Sequence, residues 1–238
     1  MIPVHESPND EQNIKSPSAS ILPLQIDALG DRGFLARFET ENDADRWGRG
    51  VREHPWPGLV DLSIAYKAVG LFFDPDRVDL ATVENHLRSI AILRNEANSG
   101  RLLEIPVLYD GLDLASSAEA LGMTAERLVE LHVSQDYQVF AIGFLPGFPY
   151  AGYLPSELSG LSRLASPRIR VPAGSVAIVG RQTAIYPGES PGGWRLIGRT
   201  PLRIVDPAAN FFPIEAGDRL RFLPIEPKSF TRRLGESL

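Results

Sequence analysis

Cysteine is absent from this chain of 238 residues. That absence excludes disulfides, thiolate nucleophiles and thiolate metal sites together. Lysine is scarce: Lys15, Lys67 and Lys228 are the only ones, all other basic residues being arginine, so no Schiff-base or phosphate-binding lysine falls in the central part of the chain. The four histidines, His5, His54, His86 and His132, stand far apart, and no metal site is expected. No apolar run approaches the roughly 20 residues of a membrane span. The polar start, MIPVHESPNDEQNIKSPSAS, lacks both the basic and the apolar region of a secretory leader. A cytoplasmic protein without membrane contact is expected. The formal net charge of −6 argues against a broadly basic nucleic-acid-binding face. Three common signatures are missing as well: G-x-x-x-x-G-K-[ST], G-x-G-x-x-G and H-E-x-x-H.

What is present reads as a globular chain of one large or two modest domains. Residues 1–20 are polar with little to bury and read as a flexible tail. Ile21 to Glu39 has two apolar segments around Gly30, Asp31 and Gly33, a hairpin signal. Asn42 to Arg52 has helical spacing and is stopped by Pro55 and Pro57. Two strand-like runs follow from Leu59 to Pro75, and Leu80, Val83, Leu87, Ile90 and Leu93 recur at the spacing of an amphipathic helix. Residues 21–100 therefore suggest a small α/β sandwich. A strand at Arg101–Tyr109, helices at Asp113–Leu121 and Thr124–His132 and a strand at Tyr137–Gly143 open a second unit. Short strands punctuated by Gly and Pro come next: Gly174–Val179, Gln182–Tyr186, Trp194–Gly198, Leu202–Val205 and Arg219–Leu223. That spacing indicates a barrel or barrel-like sandwich over 101–225. Residues 226–238 carry no signal of their own and read as a C-terminal tail.

Three clusters stand out. In Gly143–Tyr153, GFLPGFPYAGY, the rings of Phe144, Phe148, Tyr150 and Tyr153 alternate with Gly and Pro. This can be a rigid aromatic wall for a planar ligand or a packed loop closing a barrel. In PRIRVPAGS, Arg168 and Arg170 share one side of an extended segment. They can hold a carboxylate or phosphoryl group, or form a solvated strand face. In YPGESPGGWRLIGR, Pro191, Gly192 and Gly193 can expose backbone N–H groups beside Trp194, which either stacks on a ligand or anchors a core. His132, at the end of a helical segment, can be a general acid or base, or a cap on helix carbonyls.

Three long blocks, GFLPGFPYAGYLP, SPRIRVPAGSVAIVGRQTAIYP and SPGGWRLIGRTPL, resemble the signature of the KipI/PxpB family, also called allophanate hydrolase subunit 1. The likeness runs from about Ile21 to Ile225 and includes EIPVLYDG and LVELHVSQDYQVFAIGF. It departs at Ala151, where leucine is usual, at Ala184, where glycine is usual, and at Ser162-Arg163, in place of a first Pro-Arg pair. The resemblance implies an α+β protein: a small N-terminal α/β sandwich domain followed by a cyclophilin-like β-barrel domain. It also implies a KipA/PxpC-like partner and, in an ATP-dependent 5-oxoprolinase that opens 5-oxoproline to glutamate, a third PxpA-like subunit. Related activities are inhibition of a sensor histidine kinase and the carboxyltransferase step of urea carboxylase. On the 5-oxoprolinase reading His132, Arg168, Arg170 and Arg199 are catalytic candidates, the arginines stabilising phosphoryl or carboxylate charge. Phe144, Phe148, Tyr150, Gln182, Tyr186, Gly192, Gly193 and Trp194 are then expected to bind substrate, and the isolated chain is expected to be inactive.

Overall fold

The structure is a computed structural model and describes residues 20–93 and 100–238. The expected N-terminal tail lies, but for Ser20, outside the described residues. In the first half, strands β2 (Gln25–Ala28) and β3 (Gly33–Arg37) form the hairpin that the sequence signals. Its turn passes through Gly30 at φ +64°, a conformation that a side chain would disfavour. Helix α1 (Glu41–Glu53) starts at Thr40, whose hydroxyl accepts the Asp43 N–H at 3.1 Å. Strands β4 (Leu59–Ala65) and β5 (Ala68–Phe73) complete an antiparallel order β4-β5-β3-β2. Helix α2 (Leu80–Ser89), capped by Asp79, packs Val83 and Leu87 into the same core as α1.

The helical spacing over Ile90 and Leu93 does not extend α2. Ser89 turns its hydroxyl back to the His86 carbonyl at 2.7 Å, and Ile90 is already extended. β-Branched Ile90 and Ile92 favour that conformation. Strand β6 (Ile92–Leu93) then pairs with β1 (Ser20–Ile21). Trp47 is fully buried against Phe38, and its indole N–H donates to the Ile90 carbonyl at 3.1 Å.

The second half contains β7 (Leu102–Val107), α3 (Leu114–Ala120), α4 (Ala125–His132), β8 (Tyr137–Ile142) and β9 (Pro149–Gly152). It continues with β10 (Arg168–Val171), β11 (Ser175–Val179), β12 (Gln182–Ile185), β13 (Ser190–Gly192), β14 (Arg195–Arg199), β15 (Arg219–Pro224) and α5 (Pro227–Arg233). The ladder runs β14-β11-β12-β9-β8 and continues into the first half through the Ala65–Ala141 bridge, while β15 joins β8 to the parallel strand β7. Strands β10 and β13 form a separate ribbon.

The result is a mixed α/β protein dominated by antiparallel sheet, not a closed barrel of strands. Strand β7 ends at Val107, and the chain bends away towards α3. Its contact with β14 is an isolated bridge, Leu108–Arg199, followed by backbone bonds from Gly111 and Asp113 to the carbonyls of Ile197 and Leu196.

Two other expectations change. Leu202–Val205 forms no strand: Pro201 and Pro207 bracket it, and within it Arg203 makes an isolated bridge to Ser237 while Leu202 and Ile204 turn into the core. Residues 226–238 are not a featureless tail. Pro227 opens α5, Phe230 is buried, and Leu238 packs on the core of the second half.

Candidate functional site

The first and third sequence clusters meet. Phe148 is fully buried at the centre of a group of rings, with Phe144, Tyr150, Tyr186 and Trp194 at centroid distances of 5.4, 5.0, 5.2 and 5.6 Å, all edge-to-face. This geometry matches the positive edge of one ring to the negative face of the next. The group borders a cavity of about 290 Å³, to which Pro191, Gly192, Gly193, Leu164, Pro167 and Arg163 contribute the remaining edge. Phe144, at φ +67°, is the one ring of the group that stays largely exposed. Trp194 is both the core anchor and the pocket wall that the sequence left as alternatives.

Gly192 is where the pocket requires glycine, because a Cβ there would run into the Tyr186 hydroxyl. At Gly193 a Cβ would meet ordinary contacts at 3.7 Å from Arg163 and Pro167. Burial raises the Tyr186 pKa, opposed by the backbone N–H of Trp194 and by the nearby charges of Arg163 and Arg168. The phenol therefore remains protonated at neutral pH, as a hydrogen-bond donor. The Gly193 carbonyl is engaged within the protein by the Leu164 N–H at 2.8 Å.

Gln182 does not join this group. Its amide donates to the Tyr66 hydroxyl at 2.6 Å, towards the first half of the chain, where Tyr153 also reaches Glu41 at 2.9 Å. Ala151 and Ala184, the two departures from the family pattern, are buried in the cores and do not line the cavity.

The arginine candidates do not converge. Arg168 binds Asp113 at 2.7 Å, Arg170 makes a two-pronged pair with Glu189 on the surface, and Arg199 pairs with Asp110 at 2.7 Å and lies over the Phe230 ring. Alternation on β10 is disturbed by an irregular register with β13, and each guanidinium finds a different carboxylate. Asp113 makes no side-chain cap on α3. One of its oxygens holds Arg168 and the other accepts the Leu196 N–H at 2.8 Å, which ties α3 to β14.

His132 is neither an exposed acid–base group nor a helix cap. It is wholly buried, stacked on Tyr137 and tilted against Phe222. Its Nε2 lies 2.9 Å from the Thr183 hydroxyl, which itself donates to the Ala177 carbonyl, so Nε2 carries the proton. Nδ1 then accepts from the Tyr109 hydroxyl at 2.8 Å. Burial depresses the pKa of His132 to about 3 and raises that of Tyr109 well above the ordinary range. The network is a satisfied polar insert in the core.

Sequence reasoning passed over Arg163 as a site residue. It is exposed, lines the aromatic cavity and, among the described residues, has no carboxylate in ion-pair range. The available signal was its place beside the glycine-rich block, but its pairing with that block is tertiary.

A second cleft of about 680 Å³ lies between β14, the Pro172–Ser175 turn and α5. Its arginines are already matched, Arg199 by Asp110 and Arg203 by Asp206. A triphosphate needs unmatched cations or a bed of free N–H groups. The aromatic cavity is below the usual size of sites for drug-sized ligands, about 300–1,000 Å³. Among the described residues no helix is long and apolar enough to cross a membrane.

Comparison with known proteins agrees with the sequence blocks. The family described as carboxyltransferase domain, subdomain C and D, matches residues 24–212. A Bacillus subtilis (strain 168) protein, named as the B component of 5-oxoprolinase, is 33% identical over 87% of this chain and 95% of its own length. Its namesake in Escherichia coli O157:H7 is 49% identical over 71% of this chain and 76% of its own length. Among solved structures, TTHA0988 superimposes with a TM-score of 0.75 at 40% identity, covering 82% of this chain, which spans 40% of that longer one. Since the family match covers most of the chain and the Bacillus relative most of both proteins, the chain belongs to the KipI/PxpB family.

Proposed function

We propose that this chain is the PxpB component of an ATP-dependent 5-oxoprolinase complex, a hydrolase that opens the lactam of 5-oxoproline to glutamate. The observation that carries the reading from the structure is the convergence of Phe144, Phe148, Tyr150, Tyr186, Gly192, Gly193 and Trp194 on one small cavity. The names of the relatives at 33% and 49% identity point the same way. A five-membered lactam is nearly flat and has one CH2 edge, which suits a slot walled by rings, while its amide needs polar partners. Gly192 makes room for the Tyr186 hydroxyl, and the protonated Tyr186 phenol offers a donor to a carbonyl oxygen. These residues bind and orient, and so contribute through positioning.

An unactivated amide needs its carbonyl oxygen activated, and ATP supplies that activation when bound. Arg168, Arg170 and Arg199, the candidates for meeting phosphate, are matched by carboxylates, so we assign ATP to the KipA/PxpC-like and PxpA-like partners. The isolated chain is then inactive. On the same reading, residues 21–100 and 101–225 are the two domains, the second a cyclophilin-like barrel left open between β7 and β14. Reconstitution of the three chains and an assay of glutamate released from 5-oxoproline with ATP tests the proposal. Absence of glutamate from a correctly assembled complex overturns it, and 5-oxoproline-dependent ATP hydrolysis by this chain alone overturns the division of labour.

A further inference from the structure

The residues lining the aromatic cavity include a single charged side chain, Arg163, and no acidic one. Among the described residues Arg32, Arg181, Arg195 and Arg232 also have no carboxylate in ion-pair range, but none of them lines this cavity. Arg168, Arg170, Arg199, Arg203, Arg219 and Arg221 each have a carboxylate within 4 Å. In a chain of net charge −6 a cation left unmatched beside a built cavity marks a place where an anion can be accepted without displacing a protein carboxylate.

The segment carrying Arg163 is fixed at both ends. The Leu164 N–H donates to the Gly193 carbonyl at 2.8 Å, and the Arg195 guanidinium donates through Nε to the Ser162 carbonyl at 3.1 Å. Two contacts from one strand and the turn before it therefore hold the backbone on either side of Arg163. The Arg163 side chain leaves this clamp beside Gly193, whose missing Cβ would stand 3.7 Å from the Arg163 Cβ. Its charge reaches Tyr186, opposing the effect of burial on the phenol. A guanidinium at the rim, a protonated phenol and a ring-lined interior make a complementary set: the fork binds a carboxylate in two prongs, and the rings accept a flat apolar body.

We infer that Arg163 is the carboxylate-recognition residue of the aromatic cavity, and that the cavity takes a small planar monocarboxylate. Identification of that ligand as 5-oxoproline rests on the function proposed above. Arg163 is a binding residue that secures the acid group while the ring lies against Trp194 and Phe148; it has no part in breaking the amide bond.

Two probes separate this from a merely hydrophobic slot: 5-oxoproline and its neutral carboxamide, which keeps the ring and removes the charge. Each is titrated into the full chain, with binding read by calorimetry and by the chemical shift of the Trp194 indole. The acid binds about tenfold or more tighter than the amide, the difference of one charge-assisted hydrogen-bond pair. Arg163→Gln, an exposed substitution, removes that preference without lowering the unfolding midpoint, whereas Arg163→Lys retains part of it. Equal binding of acid and amide, no binding of the acid, or a preference that survives Arg163→Gln overturns the inference.

In the reconstituted complex, Arg163→Gln raises KM for 5-oxoproline by a similar factor with a smaller effect on kcat. A wild-type complex that releases glutamate while the variant has an unchanged KM overturns the role of Arg163 and leaves the 5-oxoprolinase reading standing. A wild-type complex that releases none, with acid-over-amide binding intact in the isolated chain, does the reverse.

Discussion

The aromatic cavity and the rest of the second half of the chain treat polar groups in opposite ways. Around His132, buried hydroxyls and ring nitrogens are paired one to another, and along the larger cleft Arg199 and Arg203 are each closed off by an aspartate. At the aromatic cavity, Arg163 has no carboxylate in ion-pair range among the described residues, and the Tyr186 phenol stays protonated over a space that the rings leave open. Matched groups hold a structure together or lie idle on its surface, because their fields are already cancelled. An unmatched cation over a cavity keeps its field for a ligand. The difference lies in the partners: the cleft supplies an aspartate to each arginine, whereas the described lining of the cavity includes no acidic residue.

The strongest way to break this contrast is to remove a wall of the cavity. Trp194 is buried against Phe148 and Tyr150, so Trp194→Ala should destabilise the chain by about 3–5 kcal/mol in denaturant unfolding. Trp194→Phe, which keeps most of the apolar volume, should recover much of that loss. Activity missing from the alanine variant is therefore interpretable only beside its stability.

Next in size is Arg168→Ala. It strands the nearly buried Asp113 carboxylate and should cost about 3 kcal/mol, again in stability. Adding Asp113→Asn should return part of it, and full additivity of the two changes would show that the pair is not coupled.

The His132 network gives a pH signature. Its folded pKa of about 3 lies below the ordinary 6.5, so within that interval the unfolded chain binds a proton that the folded chain does not. This contribution is fully present above about 6.5 and is lost as the pH falls towards 3, with a slope of at most about 1.4 kcal/mol per pH unit. Denaturation of wild type and His132→Asn across that interval should differ in slope, and identical slopes would place the imidazole in water.

Smallest are the matched surface arginines. Arg199→Ala should change stability by about 1 kcal/mol or less and leave the acid-over-amide preference intact. Arg170→Ala should leave unfolding and binding unchanged within error. A selective loss of acid binding in either would move the anion site away from Arg163.

Local signals located most elements well. The Gly30 turn, the Thr124 cap and the strand-forming runs at Leu59–Ala65 and Ala68–Phe73 depend on neighbours in sequence, and each lies where the chain predicts it. The misses have tertiary causes. Residues 226–238 fold because Phe230 and Leu238 find a core, although nothing local demands it. Ile92–Leu93 leaves the helical phase because β1 offers it a partner.

For the site, the chain alone determined the materials: rings alternating with Gly and Pro, Gly192 beside a tryptophan, and arginines in extended segments. Those choices restrict backbone shape through φ and so are readable without a fold. Only the tertiary structure decided that the arginine lining the cavity is left without a carboxylate among the described residues. Ion pairing reaches across long separations, Arg168 to Asp113 and Arg199 to Asp110, and sequence spacing carries no record of which carboxylate arrives first. Arg163 matters because, among the described residues, none arrives.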